Sequence, residues 1–341
     1  MRQSSKKIIY LVVGSLVALF ALYYTFRNVS LQDLADSFLE VKLVYLIPAI
    51  LLMALSYLAR AYRWGVILSP LKSIKLTWLY FATMAGFLGN VLPLRAGEAL
   101  RIYLLGKKYD LPYPGVLATV LVEWFFDLIM LFSVILWFMI FHWDLFDTSL
   151  VYGSGMKDSM ANFSLVSLFL LTFMVATVLI LSYKKHVLAS FIHWIGQRLP
   201  KKWQYNLDQL MQDLHLGFAG LREIHAILKI FVYTLLEWVL SVFSFYPLYW
   251  AFELQNRTLE SVLILTVVVI IVVTIFPTPA FIGSFHAGVY IALHDIMHEA
   301  AVPSVSFGVV AWFLNILVIF GSVFYFLIRE HISITELSRA N

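Results

Sequence analysis

The sequence predicts an all-α polytopic membrane protein with six full spans and two re-entrant helical hairpins arranged as an inverted-topology repeat. Of its 341 residues, 62% are hydrophobic and 13% are charged, whereas a soluble domain carries about 25% charged residues. Several apolar runs reach the roughly 20 residues that a helix needs to cross a bilayer, and two are interrupted near their middle. This composition excludes an ordinary soluble enzyme. The sequence contains no cysteine, which excludes a disulfide scaffold and a thiolate metal site.

Six stretches are long and apolar enough to be full spans, and they are 8–26, 43–67, 115–141, 163–183, 228–252 and 305–328. The first follows a basic start, as the apolar part of a signal peptide does. However, no small-residue cleavage site follows it before Arg27 and Asn28, so we expect a retained first helix.

Two further apolar stretches, 76–106 and 261–297, contain helix-breaking prolines near their middle. Pro93 interrupts the first stretch, and Pro277 and Pro279 interrupt the second. Because proline lacks an amide donor and clashes with the preceding turn, each stretch is predicted to form two half-helices.

The order of spans and hairpins in 1–150 recurs, inverted, in 151–341, which is a pattern of many secondary transporters. Asn90 and Thr274 each stand three residues before a proline, and this match gives the repeat weak support. The segment between the halves, 184–227, is basic and amphipathic, so we expect cytoplasmic helices lying on the membrane surface. The whole chain is interpreted as a single membrane domain.

The basic residues orient the chain, because cytoplasmic loops of membrane proteins are enriched in lysine and arginine. If both hairpins return to the side from which they entered, most basic residues fall on the side of the N-terminus. These residues include Arg60, Arg63, Lys107 and Lys108. A single crossing of 76–106 would instead invert every later loop. The expected location is the cytoplasmic membrane of the cell, with both termini in the cytoplasm.

Charged residues fall inside the predicted apolar segments, and they are Arg95, Glu98, Glu123, Asp127 and Glu237. An unpaired charge at the bilayer centre costs about 2.5–3.5 kcal/mol, so these groups must pair or face water. Glu98 is three residues from Arg95 and three from Arg101, a spacing that allows contact on a helix. Glu123 and Asp127 share one helix face, and Arg95 or Arg101 is the nearest cation expected opposite them. Glu237 has no evident partner.

The first break has a distinctive order of residues, Gly86-x-x-x-Asn90-x-x-Pro93-x-Arg95-x-Gly97-Glu98-x-x-Arg101. Related strings stand on either side of it, and they are Arg60-x-x-Arg63-Trp64, Glu123-x-x-x-Asp127 and Pro277-Thr-Pro279 with Gly283. Together they resemble the signature of the lysylphosphatidylglycerol synthase transmembrane-domain family of flippase-like membrane proteins. The resemblance covers residues from about 57 to 290.

The chain departs from that family pattern at two places. Trp124 stands where the family usually has an arginine. Ala280-Phe-Ile-Gly283 and His286 stand where the family usually has a glycine-rich turn followed by a glutamate. Bifunctional members carry a soluble aminoacyl-transferase domain after the membrane part. This sequence ends at Asn341, soon after its last span, so we expect no such domain.

The resemblance implies a lipid translocase or a lipid-binding membrane module. Arginine binds two phosphate oxygens at once, and a broken helix exposes backbone donors. We therefore expect a secondary transporter or flippase for a phosphate-bearing lipid, either a phospholipid or a polyprenyl-phosphate-linked lipid. The expected substrate-binding residues are Arg95, Glu98, Arg101, Asn90, Arg60 and Arg63. The expected ion-coupling or gating residues are Glu123, Asp127, Glu237, His286, Pro93, Pro277, Pro279 and Gly283.

The expected partners are membrane lipids with anionic headgroups, together with an enzyme that makes the lipid. The net charge of +4 and the pI of about 9.0 are attributed to loop lysines and arginines, so no nucleic-acid partner is expected. No cofactor or catalytic residue is expected. His294 and His298 have the spacing of a zinc-binding helix, but no third ligand is evident, so no metal site is expected either.

Two other functions remain open at this point. One is a polytopic membrane transferase that acts on a lipid-linked substrate, although no donor-binding loop is recognisable. The other is an accessory membrane subunit. The oligomeric state, the coupling ion and the direction of transport are not predicted.

Overall fold

A computed structural model describes residues 2–90, 97–141, 165–166, 168–177, 212–214 and 216–329. Every regular element in these ranges is a helix, which confirms the all-α class for this part of the chain. The helices are α1 (Arg2–Phe26), α2 (Leu31–Glu40), α3 (Leu46–Leu68), α4 (Leu76–Gly89), α5 (Gly97–Tyr109), α6 (Tyr113–Phe141), α7 (Leu168–Thr177), α8 (Ile224–Ala251), α9 (Leu259–Ile275), α10 (Ser284–Tyr290) and α11 (Ala301–Arg329). Helices suit a bilayer because they satisfy their own backbone hydrogen bonds.

Four helical segments are long and apolar enough to cross a membrane, and they are Leu43–Leu68, Tyr113–Trp137, Ile224–Ala251 and Ala301–Arg329. They match four of the six predicted spans to within a few residues. The apolar segments Gly14–Phe26 and Leu168–Thr177 are shorter, so the crossings predicted at 8–26 and 163–183 stay predictions. Most of the predicted surface segment, 184–227, lies outside the described residues.

The chain divides into two compact units. Unit 1 comprises Met1–Ala61, Leu76–Leu105 and Leu236–Asn341, and unit 2 comprises Tyr62–Lys75 and Gly106–Leu235. This division does not follow the predicted repeat halves, which therefore stay a prediction.

Each unit has its own buried apolar cluster. In unit 1, the rings of Tyr249 and Phe307 meet edge to face with centroids 5.5 Å apart, and a second cluster surrounds Phe81. In unit 2, Val122 and Phe126 of α6 are buried with their apolar neighbours. These contacts hold the helices that carry the charged residues described below.

Prolines interrupt some helices of this chain and not others. Pro303 lies in the first turn of α11, where a missing amide donor costs no helical hydrogen bond. Pro247 lies inside α8, and that helix still continues to Ala251. By contrast, α9 ends at Ile275, before Pro277. A proline alone therefore did not determine where the helices break.

The first broken stretch returns to the point from which it starts. Lys72, which precedes α4, donates from Nζ to the backbone oxygen of Tyr109 at the end of α5, at 3.0 Å. The segment that leads into α4 and the end of α5 therefore lie together, as a hairpin requires. The side of the membrane on which they lie stays a prediction.

The two ends of the second broken stretch are also in contact, and here a carboxylate joins them. Glu299 is buried, and its side chain accepts the backbone N–H groups of Gln255 at 3.1 Å and Asn256 at 2.7 Å. The Asn256 side-chain amide donates to the backbone oxygen of Met297 at 2.9 Å. The segments before α9 and after α10 therefore meet as well. No sequence pattern predicted this role of Glu299.

Asn90 and Thr274, the matched pair of the predicted repeat, both lie at the end of the helix that precedes a break, but they differ in burial. Asn90 lies at the first break and is buried, whereas Thr274 lies inside α9 and is exposed. The internal repeat therefore gains no support from this pair.

Candidate functional site

The first break brings two helix ends into backbone contact in unit 1. A Cβ atom added to Gly97 would lie 1.8 Å from the carbonyl oxygen of Gly86 and 2.6 Å from Asn90 Oδ1. A Cβ atom added to Gly89 would lie 2.7 Å from Gly97 Cα. Because real Cβ contacts do not occur below 3.0 Å, this approach of α4 and α5 requires glycine.

A charged pair stands at the start of α5. Arg101 donates from Nε to Glu98 Oε2 at 2.6 Å, which is the contact that the three-residue spacing predicts. The Arg101 side chain is 3% exposed and the Glu98 side chain is 31% exposed, so the pair has one open side. Glu98 also lies in the first helical turn, where a negative charge complements the helix dipole. Pro93 and Arg95 lie outside the described residues, and their roles stay predictions.

The second break is a tight turn between α9 and α10. Ala280 and Phe281 have φ values of 51° and 59°, and Gly283 has a φ of 86°. The left-handed region favours glycine, so the two non-glycine residues are held there by their surroundings. The hydroxyl groups of Thr278 and Ser284 are hydrogen-bonded to each other at 2.8 Å across the turn. Pro279 begins the turn as the first residue of its short 3-10 helix.

The two breaks contact each other. The backbone N–H of Ala280 donates to the backbone oxygen of Asn90 at 3.2 Å. The carbonyl oxygen of Ala280 accepts from Trp312 Nε1 at 2.9 Å. Both backbone polar groups of Ala280 are therefore hydrogen-bonded, the N–H group to Asn90 at the first break and the carbonyl oxygen to Trp312 on α11. All of these residues belong to unit 1.

His286 lies beside this contact on α10. It is buried, its Nδ1 accepts the backbone N–H of Gly283 at 3.4 Å, and its ring centroid is 5.7 Å from that of Trp312. An accepting Nδ1 in a neutral ring carries its proton on Nε2. The structure therefore places His286 at the second break, next to the turn, where the sequence analysis expected a gating residue.

Arg60 and Glu237 form an ion pair in unit 1 that the sequence analysis missed. Arg60 donates from Nη1 to Glu237 Oε1 at 2.8 Å, and the two side chains are 18% and 10% exposed. The guanidinium carbon of Arg60 also lies 5.3 Å from the ring centroid of Phe87, in the last turn of α4. The sequence shows no evident partner for Glu237, because Arg60 lies on a helix distant in sequence.

Unit 2 contains a second buried cluster of charges. Arg63 donates from Nη1 to Asp127 Oδ1 at 2.6 Å and from Nη2 to Asp127 Oδ2 at 3.2 Å, so the pair is bidentate. Arg63 Nη2 is 3.6 Å from Glu123 Oε1, and Nη1 donates to Thr234 Oγ1 at 3.3 Å. Arg63 and Glu123 have no exposed side-chain surface.

This cluster corrects two sequence expectations. Arg63 is a cation opposite Glu123 and Asp127, and Arg101 is paired with Glu98 instead. Arg95, the other cation expected there, lies outside the described residues. In addition, Arg60 and Arg63 lie within α3 in ion pairs, so they add nothing to the loop charge that orients the chain. The position of Arg60 and Arg63 inside the predicted span 43–67 indicates that they need partners within the helix bundle.

The polar residues that follow α10, among them His294 and Asp295, form hydrogen bonds within the protein. Asp295 accepts a hydrogen bond from the Tyr24 hydroxyl at 2.5 Å, and His294 Nδ1 lies 2.8 Å from the backbone oxygen of Glu299. Across the part of the chain that the structure describes, no group of three or more histidine, cysteine or acidic residues is placed to hold a metal.

Comparison with known proteins gives one family. The family model described as "Lysylphosphatidylglycerol synthase TM region" matches residues 11–321. This range includes both breaks and both clusters of charges. No curated protein and no solved structure matches the chain.

Proposed function

Because the chain belongs to the lysylphosphatidylglycerol synthase TM region family, we propose that it moves a phosphate-bearing lipid between the two leaflets of its membrane. The family match and the apolar helices show a multi-pass membrane protein related to lipid biosynthesis or translocation. The proposed substrate is a phospholipid or a polyprenyl-phosphate-linked lipid. The proposed reaction is transport, with no covalent change of the lipid.

The observation that supports this function is the contact between the two breaks. Interrupted helices in membrane proteins occur where backbone lines a cavity or binds a polar ligand. Here the backbone of Asn90 meets the backbone of Ala280, and the Glu98–Arg101 pair begins the half-helix that follows the first break. Such a point offers a guanidinium and a carboxylate to a lipid headgroup.

Arg101 and Glu98 have different roles at this point. A guanidinium has five N–H donors and binds phosphate oxygens side by side, which suits a phosphate headgroup. Glu98 accepts a hydrogen bond from Arg101 Nε, and its side chain is partly exposed. A headgroup approaches the pair from this exposed side. In this proposal Glu98 positions Arg101, and Arg101 binds the phosphate.

In this proposal, the two hairpins move relative to each other during transport. Each is closed at its ends, through Lys72 and Tyr109 for the first and through Glu299 for the second. The described backbone contact between their breaks is the Ala280–Asn90 hydrogen bond. We propose that the hairpins enter from opposite sides of the membrane and that this contact opens while the closed ends stay intact.

Arg63 is assigned a different role from the one expected of it. Its side chain is fully buried and bonded to Asp127, so a headgroup would have to displace a bidentate ion pair to reach it. We propose that Arg63 holds α3 to α6 through Glu123 and Asp127, and to α8 through Thr234, in unit 2.

The proposed function is tested by reconstitution. Proteoliposomes containing fluorescent phosphatidylglycerol, or a labelled polyprenyl phosphate, report movement between leaflets when a membrane-impermeant reagent quenches the outer leaflet. We expect Arg101→Gln and Glu98→Gln to slow this movement at least tenfold, since a hydrogen bond to a charged group contributes about 1.5–3 kcal/mol. Lys42→Gln, which alters an exposed ion pair with Glu253, is the matched control and should keep the wild-type rate.

Two results would contradict the proposal. One is a wild-type rate no faster than that of Arg101→Gln for every phosphate-bearing lipid tried. The other is a change in lipid mass after incubation, measured by mass spectrometry, which would instead support the membrane-transferase alternative.

A further inference from the structure

An apolar groove runs between α1 and the second broken stretch in unit 1. Leu16, Phe20 and Tyr24 of α1 form one wall, and Val272, Phe276 and Ile291 contribute to the other. Its volume is about 470 Å³. Binding pockets for small molecules have volumes of about 300–1,000 Å³, so the groove is large enough for a ligand.

The groove begins where α1 touches the second break. A Cβ atom added to Gly283 would lie 2.5 Å from the backbone oxygen of Ala18, and one added to Gly14 would lie 3.6 Å from the Pro279 ring. Small residues thus let α1 meet the turn closely. Beside this contact, the helices separate and the groove opens.

The walls of the groove are open to the surroundings. Phe20 is 71% exposed, Leu16 is 59% exposed and Phe276 is 49% exposed. From Leu16 to Tyr24 the α1 wall extends about 12 Å at 1.5 Å per residue. In a bilayer, an open apolar groove is filled by hydrocarbon, because water finds no hydrogen-bond partners there.

A positive charge stands at one end of the groove. Arg27 is exposed and lies one helical turn beyond Tyr24, and its guanidinium carbon is 4.7 Å from the centroid of the Tyr24 ring. The Tyr24 hydroxyl donates to Asp295, an acidic residue on the facing segment. Within the described ranges, no carboxylate forms an ion pair with Arg27.

We propose that this groove binds one hydrocarbon chain of a membrane phospholipid and that Arg27 binds its phosphate. The charges are complementary: an apolar groove that ends at a guanidinium matches a phospholipid, whose hydrocarbon chains are joined through glycerol to an anionic phosphodiester. This inference goes beyond the proposed function, because it concerns binding at α1 and uses neither Glu98 nor Arg101. The site exists whether or not the protein transports lipid.

The test compares two photoactivatable lipids in proteoliposomes of digalactosyldiacylglycerol, a host lipid without phosphate. One probe is phosphatidylglycerol with a diazirine in one acyl chain, and the other is diacylglycerol with the same chains. After illumination, peptide mapping by mass spectrometry locates the adducts. We expect adducts on 16–24 and 272–291, with at least fivefold more from phosphatidylglycerol than from diacylglycerol.

Matched variants separate the two parts of the site. Arg27→Gln should remove the preference for phosphatidylglycerol, whereas Arg257→Gln should retain it. Arg257 is the control because its guanidinium also stacks on a ring, that of Trp250 at 4.4 Å, away from the groove. Ala21→Phe places a larger side chain in the groove and should reduce adducts from both probes.

Three outcomes would overturn the inference. They are adducts spread over all exposed helices, equal labelling by the two probes, and an unchanged preference in Arg27→Gln. Because the readout is binding and not movement between leaflets, this test can fail while the transport assay succeeds, and the reverse.

Discussion

Arg63 shows what a buried charge requires of its neighbours. Moving an ion from water into a protein interior costs several kcal/mol, and attraction to a partner repays this cost only when the geometry is good. The two hydrogen bonds to Asp127, at 2.6 and 3.2 Å, are the bidentate geometry in which arginine is most effective. Glu123 and Thr234 complete the surroundings on neighbouring helices.

Removing this arginine should therefore be costly. We expect Arg63→Met to lower the free energy of unfolding by about 3–5 kcal/mol, because it removes this cation from the buried Glu123 and the partly buried Asp127. The measurement is unfolding by denaturant in detergent micelles. Lys42→Met, at an exposed ion pair, is the control and should change the same quantity by less than about 1 kcal/mol. Equal losses in the two variants would contradict the structural role of Arg63.

Sequence reasoning found the contacts that are close along the chain and missed those that are not. The Glu98–Arg101 pair follows from helix geometry, since residues three apart lie on one face. The pairing of Arg63 with Asp127 joins two helices, and no local spacing specifies which helices become neighbours. An arginine placed inside a predicted span was the available sign that it needed a buried partner.

At the scale of helices, the first hairpin depends on residues without side chains. The contact between Gly86 and Gly97 leaves no space for a Cβ atom, so the crossing of α4 and α5 is fixed by sequence at that point. The position of Asn90, and therefore its contact with Ala280, depends on this crossing.

Gly97→Ala tests this dependence directly. The added methyl group would lie 1.8 Å from the Gly86 oxygen, so the half-helices must separate. We expect a stability loss of about 1–3 kcal/mol, the usual cost of overpacking, and a slower movement of lipid between leaflets. Gly321→Ala in α11 is the matched control: its Cβ atom would meet nothing within 4 Å, so stability should be equal or higher. Wild-type stability and rate in Gly97→Ala would show that the crossing does not matter.

The sequence located both breaks but not their geometry. The prolines predicted where the two stretches are interrupted. However, α8 contains Pro247 and is not interrupted, so the residues around a proline decide whether a helix breaks there. Ala280 adopts a left-handed conformation that glycine usually provides. Its hydrogen bonds to Asn90 and Trp312 come from distant parts of unit 1 and have no local signature.

At the scale of the whole molecule, the two broken stretches each have ends that lie together, which is what a re-entrant course requires. The re-entrant course through a membrane stays a prediction. The charge pattern alone favoured hairpins that return to their starting side. The Lys72–Tyr109 contact and the Glu299 contacts bring the two ends of each stretch together, whichever side of the membrane they occupy. The number of full spans and the inverted repeat remain predictions.

Single cysteines can establish the sides, because the sequence has no cysteine of its own. We expect Lys72→Cys and Lys108→Cys to react with an impermeant maleimide from the cytoplasmic side, since both flank the first hairpin. Glu253→Cys and Ala300→Cys should react only from the opposite side, since both flank the second. All four positions are exposed. Labelling of positions 72 and 108 from different sides would rule out the first re-entrant hairpin.

The hydrogen bond between Asn90 and Ala280 also has a consequence for biosynthesis. Ala280 leaves the ribosome about 190 residues after Asn90, and at about 5–20 residues per second that is a delay on the order of 10–40 s. During this interval the nascent first hairpin lacks the backbone donor that completes its break. The first break can therefore reach its final arrangement at Asn90 only after the second broken stretch has been synthesised.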